Sequence, residues 1–137
     1  MIRTDLTSWD NDLTELARPA LLQTASWARI KEKFGWECIP LKWEDEKHET
    51  VAMALVLKRQ IQLSRLKLPI SMLYVPKGPI LDWEDESLVQ RVLYDLQVLG
   101  KQENSFLVKI EPEIRQFSIT NAKSPERIQM NPLVTAK

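Results

Sequence analysis

The seven residues Val51-Ala-Met-Ala-Leu-Val-Leu57 form an uninterrupted apolar run. A run of this length bounded by polar residues is consistent with a strand buried on both faces. Such a strand needs an apolar layer above it and another below. The chain offers both, because an amphipathic segment precedes the run and a second one follows it. Its 137 residues are within the usual range for one domain and enough to bury a sizeable core.

The preceding segment is Leu21–Trp36. Thr24 is placed to accept a free amide of the first helical turn, and Trp27, Ile30 and Phe34 fall on one face of a helix over 25–34. Gly35 stands where a left-handed cap belongs, with Trp36 able to fold back on the helix end. Upstream, Trp9 and Leu13 suit a short first element, and Pro19 would stop any helix there. In Glu37–Trp43, Cys38, Ile39 and Leu41 are apolar and Pro40 interrupts the pattern, which suggests a strand at or near a sheet edge. The charged stretch Glu44–Glu49 then reads as the turn of a hairpin, and Lys58–Lys67 as a solvated loop or strand extension.

Ile70–Val75 is a further strand, closed by the rigid turn Pro76-Lys77-Gly78-Pro79. Asp82 or Asp85 can cap the second helix. Its stripe is Leu88, Val89, Val92, Leu93, Leu96 and Leu99, with Gly100 near its end. Ser105–Ile110 returns as a strand and Glu111-Pro112 ends it. Beyond Glu113 the apolar residues Ile114, Phe117, Ile119, Ile128, Leu133 and Val134 are scattered among polar ones. The order describes an α/β or α+β domain with a mixed central sheet flanked by helices.

Composition removes several kinds of chemistry. Lys plus Arg and Asp plus Glu number 19 each, so no global field favours nucleic acid, and DNA is not an expected partner. The single histidine, His48, sits in the charged turn, which excludes a multi-histidine metal site. Cys38 is the only cysteine and reads as a buried, inert thiol; a reducing compartment fits. Three glycines cannot build a Gly-rich phosphate loop. The five tryptophans read as core or rim packing, since they are not interleaved with basic residues on one strand. No metal or cofactor is expected, and neither a membrane span nor a signal peptide is present in the residues at hand.

Two positions stand out for function. Lys31 lies one turn after Trp27 and borders the apolar face, which on the residues alone suits a snorkelling lysine. Glu111 ends a strand, where open α/β sheets bind ligands, although a plain surface carboxylate before a proline is the alternative.

Four blocks taken together resemble the Fem-type peptidyltransferases of bacteria. They are Leu21-Leu22-Gln23-Thr24 with Trp27-Ala28-Arg29-Ile30-Lys31; Phe34-Gly35-Trp36; Tyr74-Val75-Pro76-Lys77-Gly78-Pro79-Ile80-Leu81-Asp82; and Lys109-Ile110-Glu111-Pro112. The likeness covers about residues 9–112, and 113–137 matches weakly. It implies a GNAT-like domain, here a single partial domain over 1–137, taken from a family of two tandem domains. It also implies transfer of an amino acid from aminoacyl-tRNA to a UDP-linked or lipid-linked muropeptide, in the synthesis of peptidoglycan bridges. The place of such work would be the cytoplasm, up to the inner face of the membrane, with at most peripheral membrane contact.

By the same resemblance Lys31 contacts the diphosphate or uridyl part of the precursor, a job suited to a lysine point charge. Glu111 falls near the peptide acceptor, as a general base or an amine-positioning carboxylate. Phe106 falls where some members carry a substrate-touching tyrosine, and its hydroxyl is absent here. Lys77 and Gly78 would shape the cleft. The second domain, with its surface for the aminoacyl-tRNA end, is missing from these residues, so the precursor-binding half is the expected content and the isolated chain is expected to be at best weakly active. Ile128-Gln129-Met130-Asn131-Pro132 only echoes the family's next strand, and Arg115–Glu126 is short for the helix expected there. An acyl-CoA-dependent N-acetyltransferase and a non-catalytic truncated remnant are the alternatives. The first of these lacks the glycine turn that would hold a CoA pyrophosphate.

Overall fold

A computed structural model describes residues 1–16, 20–62 and 69–114. The expectations for Pro19, for 63–67, and for the residues beyond 114 lie outside the described residues. Six strands form one sheet: β1 (Ile2–Arg3), β2 (Glu37–Glu44), β3 (Thr50–Ile61), β4 (Ile70–Pro76), β5 (Ile80–Leu81) and β6 (Ser105–Glu111). Their order is β1-β2-β3-β4-β6, with β5 paired to the far end of β3. All pairings are antiparallel except β4 with β6. The mixed sheet and the α+β class expected from the sequence are therefore present.

Helices α1 (Trp9–Leu16) and α2 (Ala25–Lys33) cover one face, and α3 (Glu86–Gln102) covers the other. Strand β3 is central, and Ala52 to Leu57 are completely buried. Its side chains alternate between the two layers. Ala52, Ala54 and Val56 meet α3, and Met53, Leu55 and Leu57 meet α1 and α2. On the α3 face, the bulky Trp43 and Leu41 of β2 stand opposite Ala52 and Ala54, so the small residues of β3 make room for the large ones of β2.

Pro40 fits inside β2 because of the side it faces. Its carbonyl accepts from the Thr4 N–H at 3.1 Å, on the side of the two-residue β1. The N–H and C=O of a strand residue point the same way, so the missing donor faces that sheet edge and costs the β2–β3 ladder nothing.

Helix α2 starts and ends as the sequence indicates. The Thr24 hydroxyl accepts from the Trp27 N–H at 3.3 Å, and Asp10 of α1 accepts from the Ala25 N–H at 2.8 Å. At the other end the Gly35 N–H bonds Glu32 O and the Trp36 N–H bonds Lys31 O, a complete Schellman turn with Gly35 at φ 80°. The buried face, however, differs from expectation. Ala25 and Ala28 pack inward, whereas Ile30 and Phe34 are exposed and Trp27 is only half-buried. The small side chains let the helix lie close on the sheet, Trp27 packs in part against the same cluster, and Ile30 and Phe34 are turned outward.

Asp85, rather than Asp82, caps α3 by accepting from the Leu88 N–H at 3.1 Å. Gly100 does not terminate this helix, which runs on to Gln102. A Cβ there would sit 2.7 Å from the Val108 methyl, so the glycine is needed for α3 to approach β6.

Candidate functional site

Strands β3 and β4 separate beyond the pair Leu57–Tyr74. From there β4 continues only with β6, and β5 rejoins β3 at Met53 and Ala52. The backbone of Leu55 is thus left facing an opening in the ladder. The side chain of Gln23, completely buried, fills it. Its Oε1 accepts from the Leu55 N–H at 2.7 Å, and its Nε2 donates to Pro76 O at 2.6 Å. The Gln23 carbonyl in turn accepts from the Trp9 indole at 2.6 Å. One amide side chain therefore does the work of a peptide group between two strands that have parted.

The turn after β4 is fitted to this amide. Gly78 is buried, and a Cβ on it would lie 2.9 Å from Gln23 Cδ and 3.0 Å from Val75 Cγ1. Lys77 takes a positive φ of 53° and projects its side chain into solvent. Gly78 thus shapes the turn by having no side chain, while Lys77 is available to a ligand. The role of Gln23 was not read from the sequence, although it lies inside one of the four family-like blocks. Its signal was a lone amide in Leu-Leu-Gln, next to residues that pack.

Beside the opening, Glu111 at the end of β6 accepts from the Tyr74 hydroxyl at 2.5 Å and pairs with Lys109 at 2.6 Å. The Lys109 ammonium stands 5.2 Å from the centre of the Tyr74 ring. Lys109, then Tyr74, holds the Glu111 carboxyl below its ordinary value, and the Lys77 charge acts in the same direction. The same hydrogen bond pushes the Tyr74 phenol up to about 12. At neutral pH the carboxylate is therefore ionised and the phenol keeps its proton.

Lys31 lies in a different part of the same face. Its ammonium stands 4.8 Å from the Trp27 ring centre and 5.6 Å from that of Trp36, and the Arg59 guanidinium carbon is 5.4 Å from the Trp36 ring. Two cations thus gather on two indoles, with no carboxylate paired to either among the described residues. The Trp27 indole N–H next to Lys31 meets no acceptor among the described residues. Trp9 and Trp43 are core residues as expected, but Trp27 and Trp36 do more than pack. Basic residues reach them from α2 and β3 rather than from the same strand, which is why linear interleaving did not show it.

Register relates the two groups. Arg59 stands opposite Met72, which pairs with Leu107, and four residues further along Pro76 pairs with Glu111. At about 3.3 Å per residue and 4.8 Å per strand, the backbones of Arg59 and Glu111 are roughly 16 Å apart. Tyr74 packs with the α1/α2 layer and touches both Lys109 and Glu111, so the path between the groups runs across that face. Phe106 is exposed at an irregularity in the β4–β6 register, at the end of β6 remote from Glu111 and beside the Arg59 row. The structure brings Lys77, Gly78 and Glu111 together and leaves Lys31 and Phe106 apart from them. Cys38 is half-buried rather than fully buried, and burial with the Glu32 and Glu37 charges pushes its thiol up to about 11, which keeps it protonated.

The FemAB family model matches residues 9–131. The chain belongs to the FemAB family. A lipid II:glycine glycyltransferase of Staphylococcus haemolyticus (strain JCSC1435) is 27% identical over 116 residues, covering 83% of this chain and 26% of that protein. The enzyme of the same name from Staphylococcus aureus is 23% identical over 124 residues, covering 89% and 28%. Among solved structures, the crystal structure of FemX superposes with a TM-score of 0.68 at 23% identity, over 88% of this chain and 29% of that one. The α+β fold is thus shared with FemX. The chain spans about a quarter of the length of the curated relatives it matches. No helix among the described residues is long and apolar enough to cross a membrane.

Proposed function

We propose that this chain is the acceptor-binding half of an aminoacyltransferase of peptidoglycan bridge synthesis, using aminoacyl-tRNA as donor and a UDP- or lipid-linked muropeptide as acceptor. The observation that carries the reading is the arrangement on one sheet face. Two cations seated on indoles lie at one end, and an ionised carboxylate lies roughly 16 Å away. An acceptor with phosphates at one end and a peptide amine at the other meets a complementary charge at each. The names of the staphylococcal relatives agree with this class of acceptor and of transfer.

In this reading Lys31 and Arg59 hold the phosphates, and Lys77 and Phe106 border the bound precursor. Glu111 receives the acceptor ammonium. A carboxylate held below its ordinary value is a weak proton acceptor, so the geometry favours positioning over general-base action at Glu111. Tyr74 fixes one carboxylate oxygen and leaves the other to Lys109, whose ammonium an incoming substrate ammonium would replace. The ammonium gives one proton to solvent, and the neutral amine then attacks the aminoacyl ester. An amide bond forms, the ester C–O bond breaks, and the tRNA hydroxyl leaves with a proton. In this reading the acceptor side alone lies within these 137 residues, which are therefore expected to bind precursor and to transfer little or nothing.

The test is titration calorimetry of the chain with a UDP-linked muropeptide at low salt. Lys31→Ala is expected to weaken binding about tenfold, and less at high salt, because an exposed lysine–phosphate attraction is screened. Unchanged affinity would remove Lys31 from the site. In a full-length family member carrying this domain, Glu111→Gln is expected to preserve binding and lower transfer. An unaltered transfer rate would remove Glu111.

A further inference from the structure

The flank of α2 next to Lys31 carries exposed apolar side chains. At 3.6 residues per turn, Ile30, Phe34 and Trp27 fall within an arc of about 60°, with Lys31 about 40° beyond one side and Lys33 about 60° beyond the other. Ile30 is 45% and Phe34 is 70% exposed, and they stand one turn apart. Among the described residues Ala25, Ala28 and, in part, Trp27 make the inward contacts of the helix, and Ile30 and Phe34 take no part in them. Arg29, Lys31 and Lys33 face a single acidic residue, Glu32, on these 9 residues. An apolar stripe edged by cations is the pattern of a helix lying in a membrane interface.

We propose that this flank of α2 rests on the surface of an anionic bilayer, with Ile30 and Phe34 among the headgroups and Arg29 and Lys33 on lipid phosphates. The argument rests on the reading of Lys31 as the phosphate cation. A phosphate that joins a precursor to a lipid lies at the bilayer surface, so the residues around its binding lysine lie there too. What surrounds Lys31 on α2 is apolar outward and basic at the margins, complementary to an anionic interface. Among the described residues Ile30 and Phe34 join neither buried cluster, which leaves them outward beside the cations.

The experiment is co-sedimentation of the 137-residue chain with vesicles of phosphatidylglycerol and, separately, of phosphatidylcholine. Partition onto phosphatidylglycerol vesicles is expected, falling with salt and nearly absent on phosphatidylcholine. Phe34→Ser should lower it about tenfold and Ile30→Ser several-fold, because each removes a buried apolar group at the interface. Both variants should melt at the wild-type temperature. Three results would overturn the proposal. One is the absence of sedimentation. Another is partition equal in the wild type and both variants. The third is a concentration-dependent dimer dissolved by Phe34→Ser, which would give the face to a second copy of the chain. Calorimetry with UDP-N-acetylglucosamine reports on Lys31 separately: Ile30→Ser and Phe34→Ser should bind it as wild type does, and Lys31→Ala should not. If Lys31→Ala binds normally, the phosphate reading fails whatever the vesicles show.

Discussion

The two faces of the sheet are built on different terms. The α3 face is almost wholly apolar, from Trp43 and Leu41 through Val56 and Leu73 to Leu96 and Leu99. Its polar groups sit at the margins and are paired: the Trp43 indole bonds Asp95 at 2.8 Å, and Lys58 bonds Glu103 at 2.6 Å. The α1/α2 face has a buried amide inside it, and a hydroxyl, a carboxylate and several cations along its open side. The first arrangement gives stability, because close-packed apolar surface is hard to replace. The second gives up part of that packing to keep polar groups fixed and reachable. In the proposed reading, stability and binding are thus separated by the thickness of one sheet.

Three substitutions probe this division. The largest loss is expected from Leu96→Ala on the α3 face, about 2–5 kcal/mol by urea denaturation, with precursor affinity unchanged. A matching loss of affinity would show that the faces are coupled. Gln23→Ala should cost about 2–4 kcal/mol, since it strands the Leu55 N–H and the Pro76 carbonyl. It should also speed exchange of the Leu55 amide selectively. Uniform acceleration across the sheet would instead make Gln23 an ordinary core residue.

The smallest effect concerns the Tyr74–Glu111 pair and is read by phenol absorbance. Glu111→Gln should bring Tyr74 from about 12 back toward 10.0, because the carboxylate that retains its proton is gone. The sign for stability follows. A phenol with a folded value above the unfolded one contributes stability below pH 10 and loses it between 10 and about 12, so the variant should lack that alkaline slope. A Tyr74 titration that stays near 12 in the variant would assign the shift to burial.

Much of this was legible in the residue pattern. The run 51–57, the Thr24 and Gly35 caps and the strand ending at Glu111 all announce themselves through period, cap chemistry or punctuation. The outward turn of Ile30 and Phe34 was not, because periodicity reports that side chains share a face and not which way the face points. For Gly100 the place near the helix end was legible, whereas the cause of the glycine, a methyl on a strand beyond the helix, was not. The Tyr74–Glu111 contact joins residues 37 positions apart through strand register, and Lys31 meets Arg59, 28 positions away, on Trp36 through the packing of α2 on the sheet. Gln23 lay hidden for the same reason, since its partners at Leu55 and Pro76 are remote in the chain.

The amide of Gln23 has an implication for how such a domain changes over time. The spacing between β3 and β4 at their parting is specified by neither strand but by a third segment that precedes them both. The two strands are therefore free to exchange side chains on their surfaces without moving the rim of the opening. Conversely, a single change at position 23 can reset that rim while every residue lining it stays as it was.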